Sequence, residues 1–233
     1  MKAVILDAAS LGSDIDLTAL HAEVDDLTVH QTSTTEQSRE RLAEAEVAIV
    51  NKVVLDAATL EAASSLKLIC VLATGTNNID MASAERLGIV VRNVTAYGTA
   101  SVAQHTLMLM LALANRLPLY QQDVASGRWN ESPFFCLMDH DTLQLEGKQL
   151  VVVGQGELGS HVATLAEAFG MRVSFAARPG NEANDSRPGI TELAPEADII
   201  SLHCPLTDST RHLIDAKLLA TLKPGALLVN CAR

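Results

Sequence analysis

The residues with the clearest chemical content are Gly154-Gln155-Gly156-Glu157-Leu158-Gly159. They fall where a predicted strand, Gln149–Val153, gives way to a predicted helix, Leu158–Phe169. That setting, more than the spacing alone, makes the motif specific for a dinucleotide. Gly154 permits the tight turn, Gly156 lets the backbone approach a pyrophosphate, and Gly159 lets helix and strand pack closely. Free N–H groups and the positive dipole end at the helix start would hold the anion. About 20 residues on, an acid would bind a ribose 2′-hydroxyl, whereas an arginine would accommodate a 2′-phosphate. This sequence has Ala176-Ala177-Arg178 there, with Glu182 and Asp185 out in the following loop. The cofactor expectation is therefore NADP or NAD, leaning to NADP through Arg178; a solvated strand-end arginine is the other reading.

Metal chemistry has weaker support. His203-Cys204 lacks a second ligand pair at suitable spacing, and Asp139-His140-Asp141 is a consecutive triplet that reads as solvated charge. The expectation is no metal. Cys70, Cys136, Cys204 and Cys231 contain no CxxC and suit a reducing compartment, so a cytoplasmic location is expected. Taken alone, Lys52 reads as a surface lysine and Gly75 as a turn glycine. With 17 Lys+Arg against 28 Asp+Glu the net charge is −11, and no basic stripe is present. Nucleic acid and anionic membrane surfaces are excluded as expected partners. The longest apolar run, Leu107–Ala114, is far short of the ~20 residues that span a bilayer.

These residues need a scaffold, and the composition points to one. Apolar residues make up 48% and aromatics only 3%, so the core is aliphatic, as in buried parallel strands covered by helices. Strands are predicted at Ala3–Leu6, Leu27–His30, Val47–Val50, Leu68–Val71 and Ile89–Val91, with helices near Asp14–Glu23, Thr35–Ala45, Ala57–Ser64 and Met81–Leu87. Gly88 closes the last helix. A long helix over 100–117 follows, ended by Pro118, with Val102, His105, Leu109, Ala112 and Leu113 on one face. Its apolar circumference implies burial between layers or domains. Residues 119–146 read as irregular. Further strands are expected at 149–153, 172–176, 198–203 and 226–230, with helices at 158–169 and 215–222 and a short one around Glu192. The fold class is α/β, with two doubly wound parallel-sheet units at 1–98 and 99–233.

In order along the chain, NKV (51–53), ATGTNNID (73–80), YGTASVA (97–103), GRW (127–129), the glycine motif, LHCPLT (202–207) and NCAR (230–233) resemble the D-isomer-specific 2-hydroxyacid dehydrogenase family, nearest its glycerate dehydrogenases or hydroxypyruvate reductases. The resemblance implies a flavodoxin-like substrate domain and a Rossmann cofactor domain. It also implies hydride transfer between NAD(P)H and a small 2-oxo acid, hydroxypyruvate or glyoxylate favoured, giving a D-2-hydroxy acid. By the same resemblance Thr74 and Gly75 hold the substrate carboxylate, Lys52 borders that cleft, and Val102 and Thr106 lie near the nicotinamide. Glu157 and Leu158 lie beside the pyrophosphate, Cys204 and Pro205 line the adenine, and Thr210 makes a polar contact. His203, Cys231, Ala232 and Arg233 complete the cofactor set. Arg233 matches the catalytic arginine that holds the carboxylate and polarises the keto oxygen, for which a fixed guanidinium fork is suited. A homodimer through the long helix and following loop is implied too. The family continues past that arginine with a Glu and an acid–base His, whereas all seven histidines here precede Arg233. The expectation is a truncated sequence of a longer enzyme, inactive if 233 residues are the whole. A non-catalytic dinucleotide sensor of the same fold is the alternative; a plain α/β interaction domain fits the coincidence of motifs poorly.

Overall fold

Short aliphatic runs separated by helical stretches fold into parallel sheets in both halves of the chain. A computed structural model describes residues 1–232, in two units that divide between Ala96 and Tyr97.

The first unit runs β1 (Lys2–Ile5), α1 (Thr18–Glu23), β2 (Asp26–Val29), α2 (Thr35–Leu42), β3 (Val47–Val50), α3 (Ala57–Ala62), β4 (Leu68–Val71), α4 (Met81–Arg86) and β5 (Val90–Asn93). The sheet is parallel throughout, in the flavodoxin-like order β2-β1-β3-β4-β5. Strand alternation sorts its side chains onto two cores. Val4, Leu6, Ala48 and Val50 join Leu42, Leu55, Leu60 and Ile69 on one face, while Ala3, Ile5, Val47 and Ile49 pack on the other. All four residues of β3 are buried, as a central strand covered on both faces requires. Side-chain caps set the helix starts: Asp56 accepts from Thr59 N (2.8 Å), Asp80 from Ser83 N (2.9 Å), and Thr34 with Gln37 forms a capping box. Gly88, with φ +71°, follows α4 in the left-handed conformation. The first helix is shorter than expected, because Asp16 takes the Thr18 N–H and starts α1 there.

The second unit comprises α5 (Thr99–Ala114), α6 (Leu117–Ala125), α7 (Arg128–Glu131), β6 (Gln149–Val153), α8 (Glu157–Ala168), β7 (Arg172–Phe175), α9 (Ile190–Leu193), β8 (Ile199–Leu202), α10 (Ala216–Leu219) and β9 (Leu227–Asn230). Its parallel sheet has the order β7-β6-β8-β9. Leu150 and Val152 of β6 face one core with α5 and α8; Val151 and Val153 face the other with Ile190, Ile200 and Leu218.

Three expectations need correction here. The long helix ends at Ala114, and Arg116 (φ +51°) turns the chain so that Pro118 sits in the first turn of α6. Proline is pre-set for a helix start, where its missing N–H costs nothing, so it begins a helix here as well as bounding one. Residues 119–146 are accordingly part helical, through α6 and α7. The inward face of α5 is Ala103, Thr106, Leu107, Met110 and Ala114, set by packing on α8 and β9, whereas His105 and Leu113 are exposed.

Candidate functional site

In an open parallel sheet, ligands bind outside the carboxyl ends of the strands where the strand order reverses. In the second unit that point lies between β6 and β8. A cavity of about 920 Å³ opens there, lined by Gly154–Gly156 after β6, by Ala176 and Arg178–Asn181 after β7, and by His203–Pro205 and Thr210 after β8.

The glycines differ in what they accommodate. A Cβ on Gly154, whose φ is +105°, would stand 2.7 Å from the His203 carbonyl oxygen, so the turn packs directly on the end of β8. A Cβ on Gly159 would clash with the Gly154 carbonyl oxygen. Gly156 caps α8 in an extended conformation and would meet nothing within 4 Å. The chain itself gives no packing reason for glycine there. The space above Gly156 is the close-approach surface that a pyrophosphate needs beside free helix N–H groups.

Around this loop the side chains are ordered by hydrogen bonds. Glu157 begins α8 and its Oε1 accepts from Thr99 Oγ1 (2.9 Å), while Leu158 packs into the core. His203 Nε2 and Ser201 Oγ share a bond of 2.7 Å, and the buried Nδ1 has no partner among the described residues. Burial lowers this imidazole from 6.5 to about 4, so it is neutral near pH 7. Burial also pushes the Cys204 thiol up, which makes it a wall rather than a nucleophile. Thr210 Oγ1 donates to Pro205 O (2.7 Å) and accepts from Thr207 N (2.8 Å), bracing the turn at the cavity edge. Ala232 lines an adjoining cavity of about 230 Å³ together with Cys204 and Thr210, while Cys231 packs into the core.

Val102 and Thr106 are not among the residues lining the 920 Å³ cavity. Thr106 is fully buried on α5 and its hydroxyl donates to Val102 O (2.8 Å). Arg233 lies outside the described residues.

In the first unit, the loops after β3 and β4 carry Lys52, Thr74 and Gly75. Lys52 and Thr74 are exposed, and Thr74 O accepts from Asn93 Nδ2 (2.6 Å). The two loops are stitched together: Leu55 N donates to Asn78 O (2.9 Å), Asp80 N to Leu55 O (3.0 Å), and Asn78 Nδ2 to Val53 O (2.9 Å). Asp7, at the end of β1, was not picked out from the sequence. Its buried carboxylate accepts from the backbone N–H groups of Asn51 (2.9 Å), Lys52 (2.6 Å) and Val53 (3.0 Å), fixing the loop that presents Lys52.

Asp139 and Asp141 are exposed and His140 is partly buried, and Asp139 and His140 also join an ion-pair cluster. Arg128 bridges Asp123 (2.6 Å) and Asp139 (2.8 Å), and His140 Nε2 lies 2.8 Å from the other Asp123 oxygen. Among the described residues no three His, Cys, Asp or Glu side chains are grouped to hold a metal ion. None of the described helices is long and apolar enough to cross a membrane.

The profile of the D-isomer specific 2-hydroxyacid dehydrogenase NAD binding domain matches residues 107–233. The chain belongs to that family. A glycerate dehydrogenase of Methylorubrum extorquens is 37% identical over the whole chain, which spans 72% of it. A hydroxypyruvate reductase of Blautia hydrogenotrophica is 32% identical, again over the whole chain and 74% of its own length. Among solved structures, an acyclic imino acid reductase in complex with NADPH and D-Arg superposes with a TM-score of 0.87, at 26% identity, over 100% of this chain and 75% of that one. The matched domain is an NAD-binding one, and the cavity, the glycine loop and the helix start fit a nicotinamide dinucleotide.

The sequence does not pick out Arg187, and it shows Asp185 only as an acid out in the loop. The loop after β7 folds back so that Arg187 lines the same cavity as Arg178, and Asp185 is hydrogen-bonded to both residues. No periodicity marks such a return; only the cluster of opposite charges hinted at it.

Proposed function

We propose that this chain uses NADPH in preference to NADH to reduce hydroxypyruvate or glyoxylate to the corresponding D-2-hydroxy acid, and that it acts as a homodimer. At the level of class it is an NAD(P)-dependent 2-hydroxyacid dehydrogenase, as its family membership states. The substrate choice is supported by the names of the relatives, which include glycerate dehydrogenase, hydroxypyruvate reductase and a glyoxylate reductase of Aeropyrum pernix.

The single observation that carries the cofactor reading is the pairing of open space over Gly156 with a β7 end that bears Arg178 where an acid would select NAD. The Arg178 guanidinium makes no hydrogen bond or ion pair within the described residues. When bound, the reduced nicotinamide supplies the hydride that the keto carbon accepts. The residues of the chain hold and orient the reactants. Backbone N–H groups of Gly156, Glu157 and Leu158 would take the pyrophosphate, and His203, Cys204 and Pro205 would wall the adenine side. Thr74 and Gly75 main-chain groups would hold the substrate carboxylate, with Lys52 adding positive charge. Arg233 would grip that carboxylate and draw the growing negative charge on the keto oxygen.

Fluorescence titration with NADPH and NADH, followed by dinucleotide oxidation on adding hydroxypyruvate or glyoxylate, tests this. NADPH should bind more tightly, and one of the two acids should drive its oxidation. Failure of both dinucleotides to bind at up to about 1 mM, the upper range of ordinary KM values, overturns the reading. A preference for NADH overturns the cofactor choice alone.

A further inference from the structure

The loop after β7 contains an acid that cannot serve a ribose and a cation that it holds in place. Asp185 Oδ2 accepts from Arg178 N (2.8 Å) and Arg187 Nη2 (2.5 Å); Oδ1 accepts from Arg187 N (3.1 Å) and Arg187 Nε (2.8 Å). Four donors fill the acceptor capacity of a carboxylate. Its side chain is only 11% exposed, and the Arg187 hydrogen bonds, with the two backbone N–H groups, hold its pKa far below the usual carboxylate range. Asp185 therefore stays ionised, yet it has no lone pair left for a ribose diol.

Arg187 is fixed by the same contacts. Its Nε–H and one Nη2–H go to Asp185, and one Nη1–H goes to Gln155 Oε1 (2.6 Å) in the glycine loop. The second hydrogen on each Nη has no partner among the described residues, and the guanidinium lines the cavity alongside Arg178. A guanidinium locked in this way loses little rotamer freedom when it meets an anion.

We propose that Arg187, oriented by Asp185, acts with Arg178 to select the dinucleotide, gripping the 2′-phosphate on the adenosine ribose of NADP(H). This rests on the NADP preference proposed above and names a second residue that carries it. Arg178 is a free strand-end cation that can follow the phosphate. Arg187 is a rigid one that sets where the phosphate sits relative to the glycine loop, through Gln155.

The test is calorimetric binding of 2′,5′-ADP and 5′-AMP, which differ only by the 2′-phosphate, to the full chain and to Arg187→Ala, Asp185→Asn and Arg178→Ala. Wild type should bind 2′,5′-ADP more tightly. Arg187→Ala should lose about tenfold for 2′,5′-ADP, the weight of one charge-assisted contact, with 5′-AMP changed less than about twofold. Asp185→Asn keeps the cation but loosens it, and should lose part of the preference. Arg187→Gln, similar in length but uncharged, replaces the alanine variant if that variant fails to melt cooperatively. Equal weakening of both nucleotides would reduce Arg187 to a scaffold for the glycine loop and overturn the proposal. Full retention of the preference in Arg187→Ala, with its loss in Arg178→Ala, overturns the proposal but leaves the NADP reading standing. If wild type binds the two nucleotides equally, or neither, that reading fails and takes the proposal with it.

Discussion

At the residue scale, the three motif glycines separate folding from binding. Gly156 has open space around it and a backbone conformation available to alanine, so Gly156→Ala should change stability by no more than about 1 kcal/mol, the range of N-cap exchanges. The added methyl group would stand where a pyrophosphate approaches, and dinucleotide affinity should fall at least about tenfold. Gly154→Ala would put Cβ against the His203 backbone at a positive φ, and should cost more than about 2 kcal/mol of stability as well. Melting temperature and NADPH titration, measured together, check both; a Gly156→Ala protein that binds normally would sink the site assignment. His203 adds a pH dependence. Its native pKa of about 4 lies below the unfolded 6.5, so the unfolded chain binds the proton more readily in between. The stability it contributes is complete above about pH 6.5 and is lost as pH falls toward about 4. Allowing for partial exposure, the loss is on the order of 2 kcal/mol. Urea unfolding at pH 7, 5 and 4 should show a steeper fall for wild type than for His203→Asn; parallel falls would count against the buried neutral imidazole.

At the element scale, what could be read in advance follows from how local each signal is. β3 and β4 lie at their predicted residues because a four-residue aliphatic run between turn residues has one reading in a doubly wound sheet. The helix after the glycine motif shifted by a single residue for the same reason. Where apolar residues surround a helix, sequence has no means to choose the inward face, and α5 turned Met110 and Ala114 inward because α8 and β9 lie there. Arg187 reaches Gln155 and Asp7 reaches the 51–53 loop only through tertiary structure, so the sequence offered the glycine loop and Arg178 as candidates but not these two contacts. The 115–145 segment makes the same point. Tyr120 Oη lies 3.0 Å from His140 O, and Arg128 and His140 converge on the nearly buried Asp123, whose pKa stays low although burial opposes it. These bonds hold a loop whose Phe134, Phe135 and Met138 are exposed, Phe135 to 94%. Asp123→Asn removes the charge on which Arg128 and His140 converge, and amide hydrogen exchange across 132–141 should speed up at least about tenfold while β6 and β8 stay protected. Unchanged exchange would mean that the loop is held by its own turns.

At the scale of the whole molecule, the question is what the α5–α8 face of the second unit is for. Met108, Leu117 and Phe169 are each more than 40% exposed and, with Leu111, Ala112 and Leu165, line an apolar groove of about 740 Å³ along α5 and α8. Among the described residues its polar lining comes from Gln104, Asn115 and His161, too few convergent groups to orient a small polar substrate. Contiguous apolar surface of this kind on a chain with net charge −11 supports the homodimer proposed above. A homodimer would use such a patch on both copies through a two-fold axis, which makes a second copy the cover to test. Sedimentation should therefore give twice the 24.8 kDa protomer mass. Met108→Glu places an unpaired carboxylate in the middle of the groove on both copies, where removal from water is costly and the two charges repel. That variant should sediment as a protomer at micromolar concentration with an unchanged melting profile for the β6–β9 sheet and unchanged binding of 2′,5′-ADP, because Met108 is outside the dinucleotide cavity. A wild-type chain that sediments at 24.8 kDa rejects the dimer. A Met108→Glu chain that still sediments at twice that mass moves the interface elsewhere, with the exposed Phe134–Phe135 loop the next surface to mutate.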